Sequence, residues 1–177
     1  EIILAAKKVE NDYKNQTIIE FCNANDGGWS AFVPIQSLVD AYETSSGLTI
    51  EEAEKNGEYD PVHPYKNRDP RFYATVLYSG ADWVNPNGVY RIYNTLDRTI
   101  DGKPNKDNAN DSRNASQSGY TCCKYMSPLT QYSDINNTGL DFIVFRYAEV
   151  LLSKAEALIE LNRDLDEACN LMDEVRK

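Results

Sequence analysis

Residues that could do chemistry are few in this chain, and they are scattered. The only histidine is His63, in the proline-bearing stretch His63-Pro64-Tyr65. A cysteine–histidine nucleophile pair would have to join it to Cys22, Cys122, Cys123 or Cys169, none of which is close in sequence. There is no Gly-x-Ser-x-Gly elbow, no His-Glu-x-x-His helix and no Walker A phosphate loop. The 28 acidic residues give many chance carboxylate pairs. None sits in an identifiable apolar segment of the kind that raises a general acid's pKa in glycoside hydrolysis. A single His and no Cys-x-x-Cys pair argue against a zinc site. Asp101, Asp107 and Asp111 lie among many amides, but the glycine and terminal glutamate of a calcium-binding EF-hand loop are misplaced. Adjacent Cys122 and Cys123 form a strained ring if bonded to each other, so all four cysteines are expected to be free. Asn15, Asn114 and Asn136 each open an Asn-x-Ser/Thr triplet, which has meaning only in a eukaryotic secretory setting.

The two tryptophans are more informative. Trp29 follows Asn25-Asp26-Gly27-Gly28, and Trp83 precedes Asn85-Pro86-Asn87-Gly88. Each sits beside turn residues and outside any periodic apolar face. Such a ring can cap the core, or it can present a flat plate to a ligand. Sugars carry an apolar C–H face that stacks on such plates, while their hydroxyls bond nearby Asn, Asp and Arg. The residues alone leave both readings open.

Composition narrows the class. The chain has 177 residues, enough for one domain that buries roughly 70% of its unfolded surface. A formal net charge of −10 argues against nucleic acid, which needs a basic stripe, and against a bare electrostatic hold on an anionic membrane. Twelve of the 19 aromatic residues are tyrosines, flat apolar faces with one hydroxyl handle. No apolar run is long enough to span a membrane and no signal peptide is present. Glu1-Ile2-Ile3-Leu4 reads as the middle of a gene product.

These residues must be positioned by a few elements. Ile2–Ala5 reads as a short buried strand or an apolar lead-in, and 17–22 (TIIEFC) as a second strand. Pro34 is expected to open a helix whose apolar face is Ile35, Leu38, Val39 and Tyr42. Residues 51–58 read as polar and exposed, and 59–71 as an extended loop with three prolines. Arg71–Tyr78 reads as a strand fed by the turn Asn67-Arg68-Asp69-Pro70-Arg71. Asp82–Gly88 reads as a turn carrying Trp83, and 101–118 as a long polar surface loop. Tyr147, Ala148, Leu151, Leu152, Ala155, Leu158 and Ile159 mark a helix of about four turns. Asn162-Arg163-Asp164 breaks it. Leu165, Ala168, Met172 and Val175 mark a second helix, so the tail is an antiparallel hairpin of tetratricopeptide type.

Five stretches then resemble one family in order. Phe32-Val33-Pro34-Ile35-Gln36-Ser37-Leu38-Val39-Asp40-Ala41-Tyr42-Glu43 is similar to a Pro/Gln/Leu-Val-Asp-Ala-Tyr-Glu segment of the SusD/RagB family of surface nutrient-binding lipoproteins. Tyr59-Asp60-Pro61 followed by Pro64-Tyr65-Lys66-Asn67-Arg68-Asp69-Pro70-Arg71-Phe72 resembles that family's signature. So do Gly119-Tyr120 with Lys124-Tyr125, Asp141 through Leu152 with its Arg146-Tyr147-Ala148-Glu149 core, and Glu174-Val175-Arg176. Cys122-Cys123 departs from the family's usual residues.

The resemblance implies a mainly α protein with the SusD-like α/α superhelix. This chain would be its less regular C-terminal half, with short strands, long loops and a terminal helical hairpin. A single domain fragment over 1–177 is expected, loop-rich over 1–140 with one helix and short strands, and hairpin over 141–177. The lipid-modified Cys, the export signal and most tetratricopeptide-like helices belong to the family's N-terminal part. The implied function is non-enzymatic binding of glycans or other nutrients on the outer-membrane surface, for delivery to a SusC-like TonB-dependent transporter, with no cofactor. The alternative is a helical protein–protein interaction module that binds no sugar. Asn67, Arg68, Asp69, Pro70 and Arg71 would be a structural clamp, and Arg146 with Glu149 an internal polar tie. Family binders are loop aromatics that vary between members, which leaves Trp29, Trp83 and Tyr90 as candidates from loop position.

Overall fold

The computed structural model describes residues 2–7, 16–85, 87–110, 113–126, 135–136 and 138–176. In chain order they form β1 (Ile2–Ala6), α1 (Thr17–Phe21), a 3-10 turn (Ala24–Asp26), α2 (Gln36–Ala41), α3 (Ile50–Lys55), α4 (Pro70–Thr75), β2 (Val76–Leu77), β3 (Asp82–Val84), β4 (Tyr90–Ile92), β5 (Thr99–Ile100), β6 (Lys103–Pro104), β7 (Thr121–Cys122), β8 (Phe142–Arg146), α5 (Tyr147–Glu160) and α6 (Leu165–Arg176). Two compact units result: Tyr13–Thr138, and Glu1–Asp12 with Gly139–Lys177.

In the second unit β1 pairs antiparallel with β8, with two register irregularities. Ile2, Ile3 and Leu4 are all exposed, so this strand is not the buried one the apolar run suggests. The tail helices form where the apolar period places them. Asn162 and Asp164 adopt left-handed backbone (φ 50° and 47°), which short polar side chains tolerate, and so turn the chain back between α5 and α6. Leu151, Ala155 and Ala168 are the buried residues of the pair. The Lys154–Glu167 ion pair, 2.6 Å, bridges the two helices on the outside, where such a pair adds little.

The larger unit departs from the sequence reading in several places. Residues 17–21 form helix α1 rather than a strand. Its β-branched Ile18 and Ile19 are buried, and tertiary burial overrides their strand preference. The returning loop satisfies the orphan carbonyls at the helix end: the Trp29, Ala31 and Ser30 N–H groups donate to the Ile19, Glu20 and Cys22 oxygens at 2.7, 2.8 and 3.0 Å. Gly28 makes this approach possible, since a Cβ there would lie 2.0 Å from the Cys22 carbonyl oxygen. Gly28→Ala is therefore expected to destabilise the protein by roughly 1–3 kcal/mol, read as a lower urea midpoint at unchanged m-value.

The stretch 51–58, expected to be polar and exposed, begins in a helix: Ile50–Lys55 form α3. A reciprocal Thr49–Glu52 capping box starts it, and Ala53 is buried beneath it. Helix α2 begins at Gln36, with Ile35 at the cap position. Of its expected apolar face only Val39 is fully buried, while Ile35 and Leu38 stay exposed. The segment after Asp69 is helical, not a strand. Asp69 caps α4 by accepting from the Arg71 N–H at 2.8 Å, and Pro70 takes a first-turn position where its missing N–H costs nothing. The helix ends at Thr75, and Val76-Leu77 become β2, paired antiparallel with β7.

Trp83 lies in a strand rather than a turn. β3 and β4 form an antiparallel hairpin with Trp83 opposite Arg91. The Asn85 side chain closes its loop by accepting from the Asn87 and Val89 N–H groups. The core below packs Val39, Phe72, Val76 and Tyr120, with Tyr42, Tyr65 and Tyr78 against them. Tyrosines thus supply both core rings and hydrogen-bonding hydroxyls. Tyr65 stacks on Tyr78 (centroids 4.2 Å) while its hydroxyl meets that of Tyr120 at 3.0 Å.

Candidate functional site

The turn Asn67-Arg68-Asp69-Pro70-Arg71 is the anchor from which the site is built. Asn67 has φ 53°, a conformation asparagine tolerates better than most residues. Its carbonyl accepts from the Ser45 N–H at 2.8 Å, and the Asp69 N–H donates to the Glu43 carbonyl at 3.0 Å. Arg68 is 2% exposed. Its Nη1 donates to the Pro64 carbonyl (3.0 Å), and its Nη2 donates to those of Val39 (2.6 Å) and Tyr42 (2.8 Å). The guanidinium also lies 4.9 Å from the Phe72 ring centroid. Arg71 reaches back along both oxygens of Asp69.

The same turn fixes one aromatic ring in space. The Tyr73 hydroxyl accepts from the Arg68 N–H at 3.0 Å and donates to the Tyr65 carbonyl at 2.7 Å. The ring is held at its polar end and remains 40% exposed. It forms one wall of a half-open cleft of about 230 Å³, completed by Val76, Leu77, Tyr78, Ala81, Asp82 and Cys123. The Tyr73 and Tyr78 rings are inclined at 55°, with centroids 6.4 Å apart. At the rim, the Tyr90 hydroxyl donates to Asp82 Oδ1 at 2.6 Å. That bond raises the Tyr90 phenol's pKa above its ordinary value, so it stays a donor. Burial pushes the Cys123 thiol up to about 12, so it is neutral and poorly nucleophilic at neutral pH. The cleft thus offers ring faces, one carboxylate and hydroxyl groups, with no activated nucleophile.

Behind the β3–β4 hairpin lies a buried ionic cluster. Arg91 Nη2 donates to Asn23 Oδ1 (2.5 Å), Asp107 Oδ2 (3.0 Å) and Asp26 Oδ2 (3.2 Å). Asp26 also accepts from the Trp83 indole N–H (2.7 Å) and from Asn85 (3.0 Å). Burial alone would raise the Asp26 carboxyl. The bonds from Asn85 and Trp83 and the charge of Arg91 outweigh it, and its pKa lies below the ordinary value. For Asp107 burial wins over its bonds to Asn25 and Arg91, and its pKa lies above.

The 101–118 segment is accordingly not a solvated surface loop. Asn105, Asp107 and Asn108 are buried, and the amides of Asn105 and Asn108 donate to carbonyls of Asn94, Thr95, Leu96 and Asp97. Asp107 is committed to Arg91 and Asn25, Asp101 lies in an exposed turn, and Asp111 is outside the described residues. Among the described residues no three His, Cys, Asp or Glu side chains converge on a metal position. The four cysteines are free.

The sequence-derived aromatics separate. Trp83 is 6% exposed with its N–H on Asp26, in the core-capping position. Tyr90 is 61% exposed and joins the cleft through Asp82. Trp29 is 38% exposed and is not among the residues lining the cleft. Arg146 and Glu149 are both exposed. Tyr73, Tyr78 and Asp82 were not singled out from sequence. The only local signal was their closeness to the Asn67–Arg71 turn.

A larger unit of short helices and two-stranded ladders, with a helical hairpin in the other, is a SusD-like arrangement. The sequence matches the family described as SusD family (SusD_RagB) over residues 1–177, and the chain belongs to that family. It is similar to a solved SusD-like carbohydrate binding protein from Bacteroides fragilis NCTC 9343, at 28% identity and TM-score 0.75, covering 99% of this chain and 34% of that one. It also shares its fold with a SusD-like protein from the same organism, at 24% identity and TM-score 0.70, covering 99% and 35% of the respective chains. The chain therefore spans about a third of the length of these solved relatives. No match was found among curated proteins. No helix among the described residues is long and apolar enough to cross a membrane.

Proposed function

We propose that this chain is part of a non-enzymatic surface protein that binds glycans and delivers them to a SusC-like TonB-dependent transporter. On this reading it is a fragment of the C-terminal half of a SusD-type α/α superhelix, carried as a lipoprotein on the outer face of a Bacteroidetes outer membrane. Binding is by stacking on aromatic faces plus a rim of hydrogen bonds, with no chemistry on the ligand. Weak single sites gain avidity on a polymer.

The observation that carries this reading is the cleft itself. Tyr73 is held at its hydroxyl by the family's signature turn while its ring stays open to solvent, and Asp82 and Tyr90 supply hydrogen-bonding groups beside it. Membership of the SusD family and the solved carbohydrate-binding relative support it.

The test is affinity gel retardation of the full-length protein by a panel of polysaccharides, beside Tyr73→Ala, Tyr90→Ala and Trp29→Ala. Retardation by at least one glycan is expected, weakened roughly tenfold in Tyr73→Ala, which corresponds to about 1.4 kcal/mol. Thermal melts establish that each variant is folded. Retardation lost only in Trp29→Ala would move the site to the exposed Trp29 ring. A folded protein retarded by no glycan would favour the sugar-free interaction module.

A further inference from the structure

We propose that the Tyr73–Asp82 cleft seats a single uncharged sugar ring and discriminates against acidic sugars such as uronates. This rests on reading the cleft as a glycan site, and adds the class of sugar.

Size sets the first limit. At about 230 Å³ the cleft falls below the roughly 300 Å³ at which pockets for drug-sized ligands begin. It holds one ring, with the rest of any chain lying outside. The 6.4 Å between the Tyr73 and Tyr78 centroids is too short for a sugar to slide between them. The ring must lie in the corner they form, against the open face of Tyr73.

Charge sets the second. Asp82 is the one carboxylate in the lining, and no Lys, Arg or His is among the lining residues. Its Oδ1 is taken by the Tyr90 hydroxyl, which holds the carboxylate in place and leaves Oδ2 to accept from a sugar hydroxyl. Charge-assisted bonds of this kind are short and directional. A uronate seated here would place a second negative charge next to the first, with no cation among the described lining residues to offset it. This chain's own net charge of −10 adds a longer-range repulsion of the same sign.

The experiment compares the full-length protein with Asp82→Asn against matched uncharged polysaccharides (glucan, mannan, galactan) and uronate-bearing ones (pectate, alginate). Affinity gels are run at low and high salt. Asp82 is exposed in the β3 strand, so the variant is expected to fold, and equal thermal midpoints verify this. The expected result is retardation by an uncharged polymer and at least tenfold weaker retardation by every uronate polymer. The preference should persist at high salt, where exposed long-range charge is screened within about 3 Å at 1 M, and it should shrink in Asp82→Asn. Uronate retardation equal to or stronger than that of uncharged polymers would overturn the proposal while leaving the glycan site standing. So would a preference that Asp82→Asn leaves unchanged. Retardation by no polymer at all would overturn the glycan reading, and this proposal with it.

Discussion

Replacing Arg68 with alanine is expected to destabilise the protein by about 3–5 kcal/mol, a large share of the total for a typical domain. The guanidinium satisfies three carbonyls from two separate stretches, Pro64 on one side and Val39 and Tyr42 on the other, and covers the Phe72 face. Removing it leaves those oxygens in a buried site and opens a cavity beside the core. Arg68→Lys should recover only part of the loss, because a compact ammonium lacks the planar fork that reaches both stretches at once. The measurement is urea denaturation: a fall in midpoint at unchanged m-value, larger for Ala than for Lys. A loss below about 1 kcal/mol for Arg68→Ala would show that the turn is held by its backbone bonds alone. The Ala variant should also bind more weakly, since Tyr73 is positioned through the turn.

Arg91→Ala should cost a similar amount, about 3–5 kcal/mol at neutral pH, by leaving buried carboxylates without their cation. Asp26 and Asp107 side chains are 7% and 1% exposed. The loss depends on pH in a direction the carboxyls fix. In the intact protein the depressed pKa of Asp26 contributes stability above the unfolded value near 3.8, and that stability is lost as pH falls through the folded value. Asp107, with a raised pKa, works the other way: acidification toward 3.8 relieves its buried charge. Without Arg91 both carboxyls are pushed upward, so the variant gains stability as pH falls from neutral toward 3.8. The gap between the two proteins should therefore be widest at neutral pH and narrow in acid. Asp107→Asn should partly rescue Arg91→Ala. Midpoints recorded for the single and double variants over this range form the cycle that checks it. A gap independent of pH would mean the cluster is not charged as described.

The elements written in strong periodicity were legible from sequence. The tail hairpin was visible because Leu151, Ala155 and Leu158 recur at helical spacing, Leu165, Ala168, Met172 and Val175 do so again, and Asn162-Arg163-Asp164 separates the two runs. The family signature was legible as residues, but its local structure was not. Phe72-Tyr73-Ala74-Thr75-Val76 has strand propensity, and the Asp69 cap with Pro70 in the first turn decides for a helix. TIIEFC misleads for a related reason: its β-branched pair is helical because both isoleucines are buried. The amide-rich 101–118 segment looked solvated, since sequence cannot show that Asn105 and Asn108 find backbone carbonyls ten or so residues away. The cleft was the least legible feature. It joins 73–82 with Cys123 across the β2–β7 ladder, and only Tyr90 at its rim had been marked by loop position.

The most direct test of the central claim is a crystal structure of the full-length protein with an oligosaccharide from a polymer that retards it. One sugar ring should lie against Tyr73, with a hydroxyl donating to Asp82 Oδ2 and Tyr90 at the rim. A well-ordered sugar bound elsewhere, with the Tyr73–Asp82 cleft holding only water, would contradict the account.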